Sequence, residues 1–325
     1  PMLSIELGWN QGFDRYVQTW DTEEDLGSDP VEYRTVVNAL RVNELAAPLL
    51  EEAARQPRSF VWLHYSDPHA PYILPPGFDN PFLGDEHDTA EELELKKIVP
   101  SARIEDQRRL GYYVAQYDAN ILVADRLIGE ILEQAADLGL LADSLIVFTS
   151  DNGPAFFGST GYFKGGKADL HEGGIRVPFI AAWPGRIPAG TISTGLVAAH
   201  VDLLPTFCEA AGLDFDPSRL DGKSMLPWLL DENQALPERE IFWQLDLYTW
   251  FPQPGKKPEP YATIAMLKGK HKLLADSLLP VELFDIRDDP SEMENRLLEQ
   301  AGLADSMAAM MREYLAAPRL KHTDD

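Results

Sequence analysis

Cysteine is almost missing: Cys208 is the one example in 325 residues. A lone cysteine excludes an internal disulfide and a Cys-based zinc site. Long apolar runs are missing too, since no stretch reaches the roughly 18 consecutive apolar residues that a spanning helix needs. Basic residues are scarce, with 28 Lys+Arg against 53 Asp+Glu and a net charge of −25. Such a surface repels phosphate backbones and anionic lipid, so neither nucleic acid nor membrane is expected as a partner. An anionic substrate then requires a cation in the site that reverses the field locally. The chain opens PMLSIELGWNQGFDRY, without an initiator Met or a basic segment leading into an apolar one. It reads as a chain that starts inside a domain, with any localisation signal upstream. What remains, 45% hydrophobic and 25% charged residues, is an ordinary globular composition.

The pattern along the chain alternates helix and strand. Residues 35–56 form an amphipathic helix by spacing, with Val42, Leu45, Ala46, Leu49, Leu50 and Ala53 on one face. The run SFVWLHY (59–65) predicts a strand buried on both faces. Residues 75–108, rich in Pro, Gly and acidic side chains, predict a surface excursion. A helix is expected over 111–138, with Val114, Tyr117, Ile121, Ala124, Ile128, Ile131 and Ala135 as its apolar stripe and Gly139 as its terminator. SLIVFTS (144–150) and VPFIAAW (177–183) predict two further buried strands around a Gly-rich loop at 153–174. A helix follows at 200–211, with Pro205 in its first turn. Beyond about residue 235, strands at 241–245, 262–275 (a hairpin about Lys268-Gly269-Lys270) and 281–286 precede a Met/Ala-rich helix at 301–316. The expected fold class is α/β, a mostly parallel sheet flanked by helices over 1–235, with a smaller antiparallel α+β subdomain over 236–325.

Ligands in open α/β sheets bind beyond the carboxyl ends of strands. SLIVFTS delivers Asp151 and Asn152 to such a position, and SFVWLHY delivers His69 through S-D-P-H-A-P-Y. One carboxylate and one amide oxygen suit a hard cation, Ca²⁺ or Mg²⁺; equally, D-N-G is a tight turn. Lys167, among glycines in F-K-G-G-K-A-D-L-H-E-G-G-I-R-V-P, is a compact charge for an oxyanion or else a solvated surface lysine. Lys164 competes with it. Glu172 and Arg176 are expected to pair and fix this loop, and His171 either caps the loop or touches substrate. Tyr248, Trp250 and Phe251 could stack on a sugar or aryl ring, or pack an interface.

The ordered motifs S-D-N-G-P (150–154), G-K-A-D-L-H-E-G-G-I-R-V-P-F (166–179), W-P-G (183–185), D-L-L-P-T (202–206), A-A-G (210–212), D-G-K-S (221–224) and E-L-F-D-I-R-D-D-P-S-E (282–292) resemble the sulfatase family of the alkaline-phosphatase superfamily. G-W-N-Q-G-F-D-R-Y (8–16) and H-Y-S-D-P-H-A-P-Y (64–72) fit the same family. The resemblance implies cleavage of a small-molecule or carbohydrate sulfate ester. It implies Asp151 and Asn152 as ligands to one divalent cation, usually Ca²⁺, His69 at the ester and its leaving oxygen, and Lys167 on the sulfate. The chemistry agrees, because sulfate oxygens need charge neutralisation and a departing alkoxide needs a proton.

The family's nucleophile is a formylglycine made from the Cys or Ser that opens a C-x-P/A-x-R motif. Here Cys208 is followed by Glu209, Ala210, Ala211 and Gly212, and Pro217-Ser218-Arg219 is preceded by Phe215. The family's first pair of metal aspartates is not seen either. These features are expected upstream of residue 1, so the chain reads as an N-terminally truncated sulfatase with little or no activity of its own and with apolar sheet surface exposed. The competing readings are a phosphodiesterase or phosphonate monoester hydrolase of the same superfamily, and a non-catalytic binding protein on the same fold. Asn152 favours the sulfatase over its two-metal relatives, which commonly carry His at that position.

Overall fold

The computed structural model describes residues 5, 9–20, 37–84, 92–94, 98, 102–155, 158–193, 195–231, 233–234, 239–245 and 262–317. Tyr248, Trp250 and Phe251, and most of the acidic stretch 85–97, lie outside the described residues. The chain divides into two compact units, Pro1–Ile146 and Val147–Asp325.

The first unit is built on two helices. In α1 (Ala39–Ala53), Asn38 caps the N-terminus by accepting the Arg41 amide at 3.0 Å. Ala39, Ala46 and Leu50 are the buried residues of α1. They meet Val123, Leu127, Ile131 and Ala135 of α2 (Leu110–Asp137), whose four-residue spacing keeps one helix face inward. The inward face also carries Gln116 and Asn120, while Ile121 is exposed. The stripe read from apolar residues alone is therefore rotated, because Gln116 and Asn120 satisfy their amides inside and take core positions. Gly139 ends α2 in the left-handed conformation, φ 76°.

Residues 59–65 were expected as a buried strand. They form none among the described residues, and Phe60, Val61 and Trp62 are 59%, 44% and 50% exposed. An apolar, β-prone run shows what a segment would bury, but a strand exists only where another backbone supplies hydrogen bonds. Here the ring of Phe13 approaches Phe60 and Trp62 at 6.1 and 6.3 Å instead.

The second unit begins within β1 (Ile146–Thr149), which pairs with β2 (Phe179–Ala182) in a two-stranded sheet. Between them lies the long loop that closes on the single turn α3 (Glu172–Ile175). A 3₁₀ turn, His200–Asp202, leads into α4 (Leu203–Ala210), which carries the half-buried Cys208 and is followed by Gly212 at φ 65°. Asp202 is fully buried. Arg239 grips it through two bonds of 2.7 and 2.6 Å, and the amides of Ala199 and Lys223 complete its shell. Thr206 relays from the Asp202 carbonyl to the Met225 amide, just ahead of α5 (Leu226–Leu230). The D-L-L-P-T and D-G-K-S motifs are thus one hydrogen-bonded knot. Pro217-Ser218-Arg219 is a 3₁₀ turn capped by Asp216, which occupies the Ser218 amide and hydroxyl.

Four antiparallel strands follow: β3 (Glu240–Gln244), β4 (Ile264–Lys268), β5 (His271–Asp276) and β6 (Leu279–Asp285). Gly269, at φ 59°, makes the expected β4–β5 hairpin. Alternation gives the sheet two working faces. Ile264, Met266, Leu273 and Leu283 pack on Ala304, Met307, Ala308 and Met311 of α6 (Ala301–Ala316). The other face presents Ala265, Leu274 and Phe284, which bury Leu170 of the long loop. Lys272 and Glu282 share this second face, opposite Phe284 and Leu274 in the register. No helix among the described residues is long and apolar enough to cross a membrane. The architecture is of the α/β class with a C-terminal antiparallel sheet.

Candidate active site

The Asp151–Asn152 corner and the Lys167 loop are locked together backbone to backbone. Gly153 donates its amide to the Gly174 carbonyl at 2.9 Å, Lys167 donates to the Pro154 carbonyl at 2.9 Å, and Gly173 donates to the Lys164 carbonyl at 2.7 Å. Such close approach requires glycine: a β-carbon on Gly174 would stand 2.2 Å from the Asp169 oxygen. His200 adds a tie, its Nε2 lying 2.7 Å from the carbonyl oxygen of Ser150, the residue before Asp151.

Within the corner, the Asn152 amide donates to the Asp151 carboxylate at 2.5 Å. The corner thus holds one carboxylate and one side-chain amide in contact at a strand end, exposed and half-buried respectively, with the amide nitrogen turned to the carboxylate. This fits part of the shell of a hard cation, which takes about six to eight oxygens in the case of Ca²⁺. No group of three or more His, Cys, Asp or Glu capable of holding a metal occurs among the described residues. Asp151 and Asn152 by themselves would make only a portion of such a shell.

The loop cations have sharply different surroundings. Lys164 is paired with Glu282 at 2.8 Å, and its ammonium lies 5.2 Å from the Phe284 ring centroid. His171 has both ring nitrogens engaged, Nδ1 with Asp169 at 2.6 Å and Nε2 with Glu282 at 2.7 Å. Burial works against its charge, but the hydrogen bonds to Asp169 and Glu282 and the nearby Glu292 outweigh that and push its pKa up to about 9. His171 is thus an imidazolium that holds the loop. Lys167 is a half-buried residue whose ammonium has no hydrogen-bond or ion-pair partner among the described residues.

Glu172 does pair with Arg176, at 3.4 Å, as expected. Its stronger partner is Lys272, which is fully buried and reaches Glu172 at 2.9 Å and Glu292 at 2.8 Å. Glu292 also accepts the Glu172 amide at 2.6 Å. Sequence reasoning gave no role to Asp169, Glu282, Glu292, Lys272 or His200. Asp169 lies in the 166–179 motif, and Glu282 and Glu292 open and close the 282–292 motif, so their signal was motif membership; Lys272 and His200 had none.

His69 belongs to the first unit. α1 and α2 fix its segment there: Tyr65 donates to Asn43 at 2.7 Å, Ser66 donates to the Val37 carbonyl at 2.7 Å, and Gln116 donates to the Tyr72 carbonyl at 3.0 Å. The exposed His69 ring places Nδ1 2.6 Å from the Ala70 carbonyl. A carbonyl only accepts, so Nδ1 carries the proton in this contact.

Comparison with known proteins agrees with these motifs. The sulfatase family profile matches residues 4–213, and a profile described as the C-terminal region of N-sulphoglucosamine sulphohydrolase matches residues 158–320. The chain is 29% identical to human arylsulfatase A over 221 residues, 60% of this chain and 41% of that protein. It is 39% identical to N-acetylgalactosamine-6-sulfatase of Canis lupus familiaris over 135 residues, 39% of this chain and 25% of that protein. The chain therefore spans well under half the length of these relatives. The crystal structure of Ps i-CgsB superimposes with a TM-score of 0.64 at 22% identity, over 85% of this chain and 54% of that one, a likeness of fold. With the family profile covering most of its length and the motifs lying where the strand ends and the glycine loop put them, this chain belongs to the sulfatase family.

Proposed function

We propose that this chain forms the part of a sulfate-ester hydrolase that supplies Lys167 to the sulfate, His69 to the leaving oxygen, and Asp151 and Asn152 to one divalent cation, most simply Ca²⁺. The carrying observation is the backbone lock between Gly153-Pro154 and the 164–174 loop, which fixes the backbone of Lys167, a lysine without an ion-pair partner among the described residues, against Pro154 just after the Asp151–Asn152 corner. When bound, a hard cation neutralises charge on the sulfate oxygens. Lys167 adds a fixed positive charge for the same anion. His69, with Nδ1 committed to Ala70, can hand a proton to the departing alkoxide from Nε2. His171, with both nitrogens taken by carboxylates, belongs to loop positioning rather than substrate contact.

The nucleophile is read as a formylglycine contributed by sequence outside this chain, which carries no C-x-P/A-x-R motif. On that reading residues 1–235 belong to the catalytic core and 236–325 form the antiparallel subdomain. A carbohydrate sulfate ester as substrate is supported by the relative that is named an N-acetylgalactosamine-6-sulfatase.

The test is to read the genomic sequence upstream for a paired-aspartate strand end and a C-x-P/A-x-R motif, then assay the full-length product on matched aryl sulfate and aryl phosphate diester substrates. Sulfatase activity should dominate, and Lys167→Ala should lower kcat/KM by about 10²-fold or more, the scale of losing one oxyanion-stabilising group. Dominant diesterase activity overturns the sulfatase assignment. A full-length product without either motif and without hydrolytic activity overturns the formylglycine reading and favours a binding protein.

A further inference from the structure

We propose that Glu282, on β6, is a positioning residue that selects Lys167 over Lys164 as the anion-binding ammonium of the loop. This rests on the sulfate-binding reading of Lys167 given above. The loop carries two lysines three residues apart, and residue type alone offers no physical reason for one rather than the other. The choice is made from 118 residues away. Both oxygens of the one carboxylate are used: Oε1 takes the Lys164 ammonium at 2.8 Å, and Oε2 takes Nε2 of His171 at 2.7 Å. Phe284, two residues on along the same strand, lies against both cations, 5.2 Å from the Lys164 ammonium and 6.1 Å between its ring and that of His171.

Burial opposes the charge of Glu282, but the His171 and Lys164 contacts hold its carboxyl below the ordinary range, so it is ionised at neutral pH. Lys164 is thereby neutralised and turned onto the sheet. A sulfate approaching the loop meets Lys167, the lysine there whose charge is not already matched among the described residues.

Lysine acetylation by acetic anhydride, read peptide by peptide in a mass spectrometer with and without inorganic sulfate, separates the possibilities. In the unaltered chain Lys167 should react faster than Lys164, and sulfate should protect Lys167 alone. In Glu282→Gln, Lys164 should react about tenfold faster, as expected for loss of one charge-assisted hydrogen bond, and sulfate should now protect both lysines. Equal reactivity of the two lysines in the unaltered chain, or an unchanged Lys164 in Glu282→Gln, overturns the proposal. Should Glu282→Gln fail to fold by circular dichroism, Lys164→Met decides. Sulfate protection of Lys167 should persist within about twofold, the scale of a weak surface charge effect, and its loss overturns the selection. If sulfate protects neither lysine in the unaltered chain, the sulfate reading of Lys167 fails, while the reactivity comparison still reports whether Glu282 sequesters Lys164.

Discussion

Gly153 and Gly174 touch through their backbones, the amide of the first lying 2.9 Å from the carbonyl oxygen of the second. A β-carbon at Gly153 would stand 1.8 Å from the Gly173 oxygen. The residue after the Asp151–Asn152 corner is therefore dictated by the opposite side of the loop and not by its own turn alone. Gly153→Ala should cost about 1–3 kcal/mol or more, since the clash is with backbone that cannot rotate aside. Gly129→Ala, on an exposed and open part of α2, should instead add about 0.5–1 kcal/mol. Urea denaturation midpoints of the two variants check both signs.

The buried ammonium of Lys272 faces Glu172 and Glu292, and burial already pushes the Glu292 carboxyl upward. Lys272→Met strands two carboxylates and should destabilise by about 3–5 kcal/mol. Adding Glu292→Gln to that variant should recover part of the loss. A double-mutant cycle by denaturant titration measures the recovery, and strictly additive losses would show that the two groups do not interact.

His171 faces Asp169 on its own loop, Glu282 and Phe284 on β6, and the charge of Glu292. Its folded pKa is raised, so its stabilisation is complete below the unfolded value of about 6.5 and is lost as pH climbs through about 9. With a discount for the partial exposure of the group, that amounts to about 1–2 kcal/mol between neutral pH and pH ~10. Thermal denaturation should show the unaltered chain losing more than His171→Gln over that range. Asp169 and Glu282 are held low, so their share is lost in acid, as pH falls through their depressed values.

Asp202 is fully buried and gripped at both oxygens by Arg239. Arg239→Leu should cost about 3–5 kcal/mol by leaving an uncompensated carboxylate. Loss of cooperative unfolding, or a steep fall in the urea midpoint, is the expected result; a change under about 0.5 kcal/mol, the range of ordinary surface substitutions, would refute the role.

Local features were legible in the sequence. The helix over 301–316 and the turn at Gly269 fall where they were expected, because spacing and a left-handed glycine are written in neighbouring residues. The run 59–65 misled, since its composition cannot say whether a second strand lies alongside. The partners of Lys164 and His171 were equally beyond local reading. Both side chains meet Glu282, a carboxylate on a strand more than a hundred residues later. Glu172 shows the same division: its partner Arg176 is one helical turn away and was foreseen, while Lys272 was not.

Those separations carry a kinetic implication. Lys272 is 100 residues from Glu172, Glu282 is 111 from His171, and Glu292 is 120 from Glu172. A nascent polypeptide that has emerged only as far as β2 holds the whole glycine loop and none of these C-terminal anchors. The loop's own backbone bonds can form at that stage, but its ties to these anchors must wait for the last hairpin to be synthesised, a late and entropically slow step in the manner of high-contact-order folds.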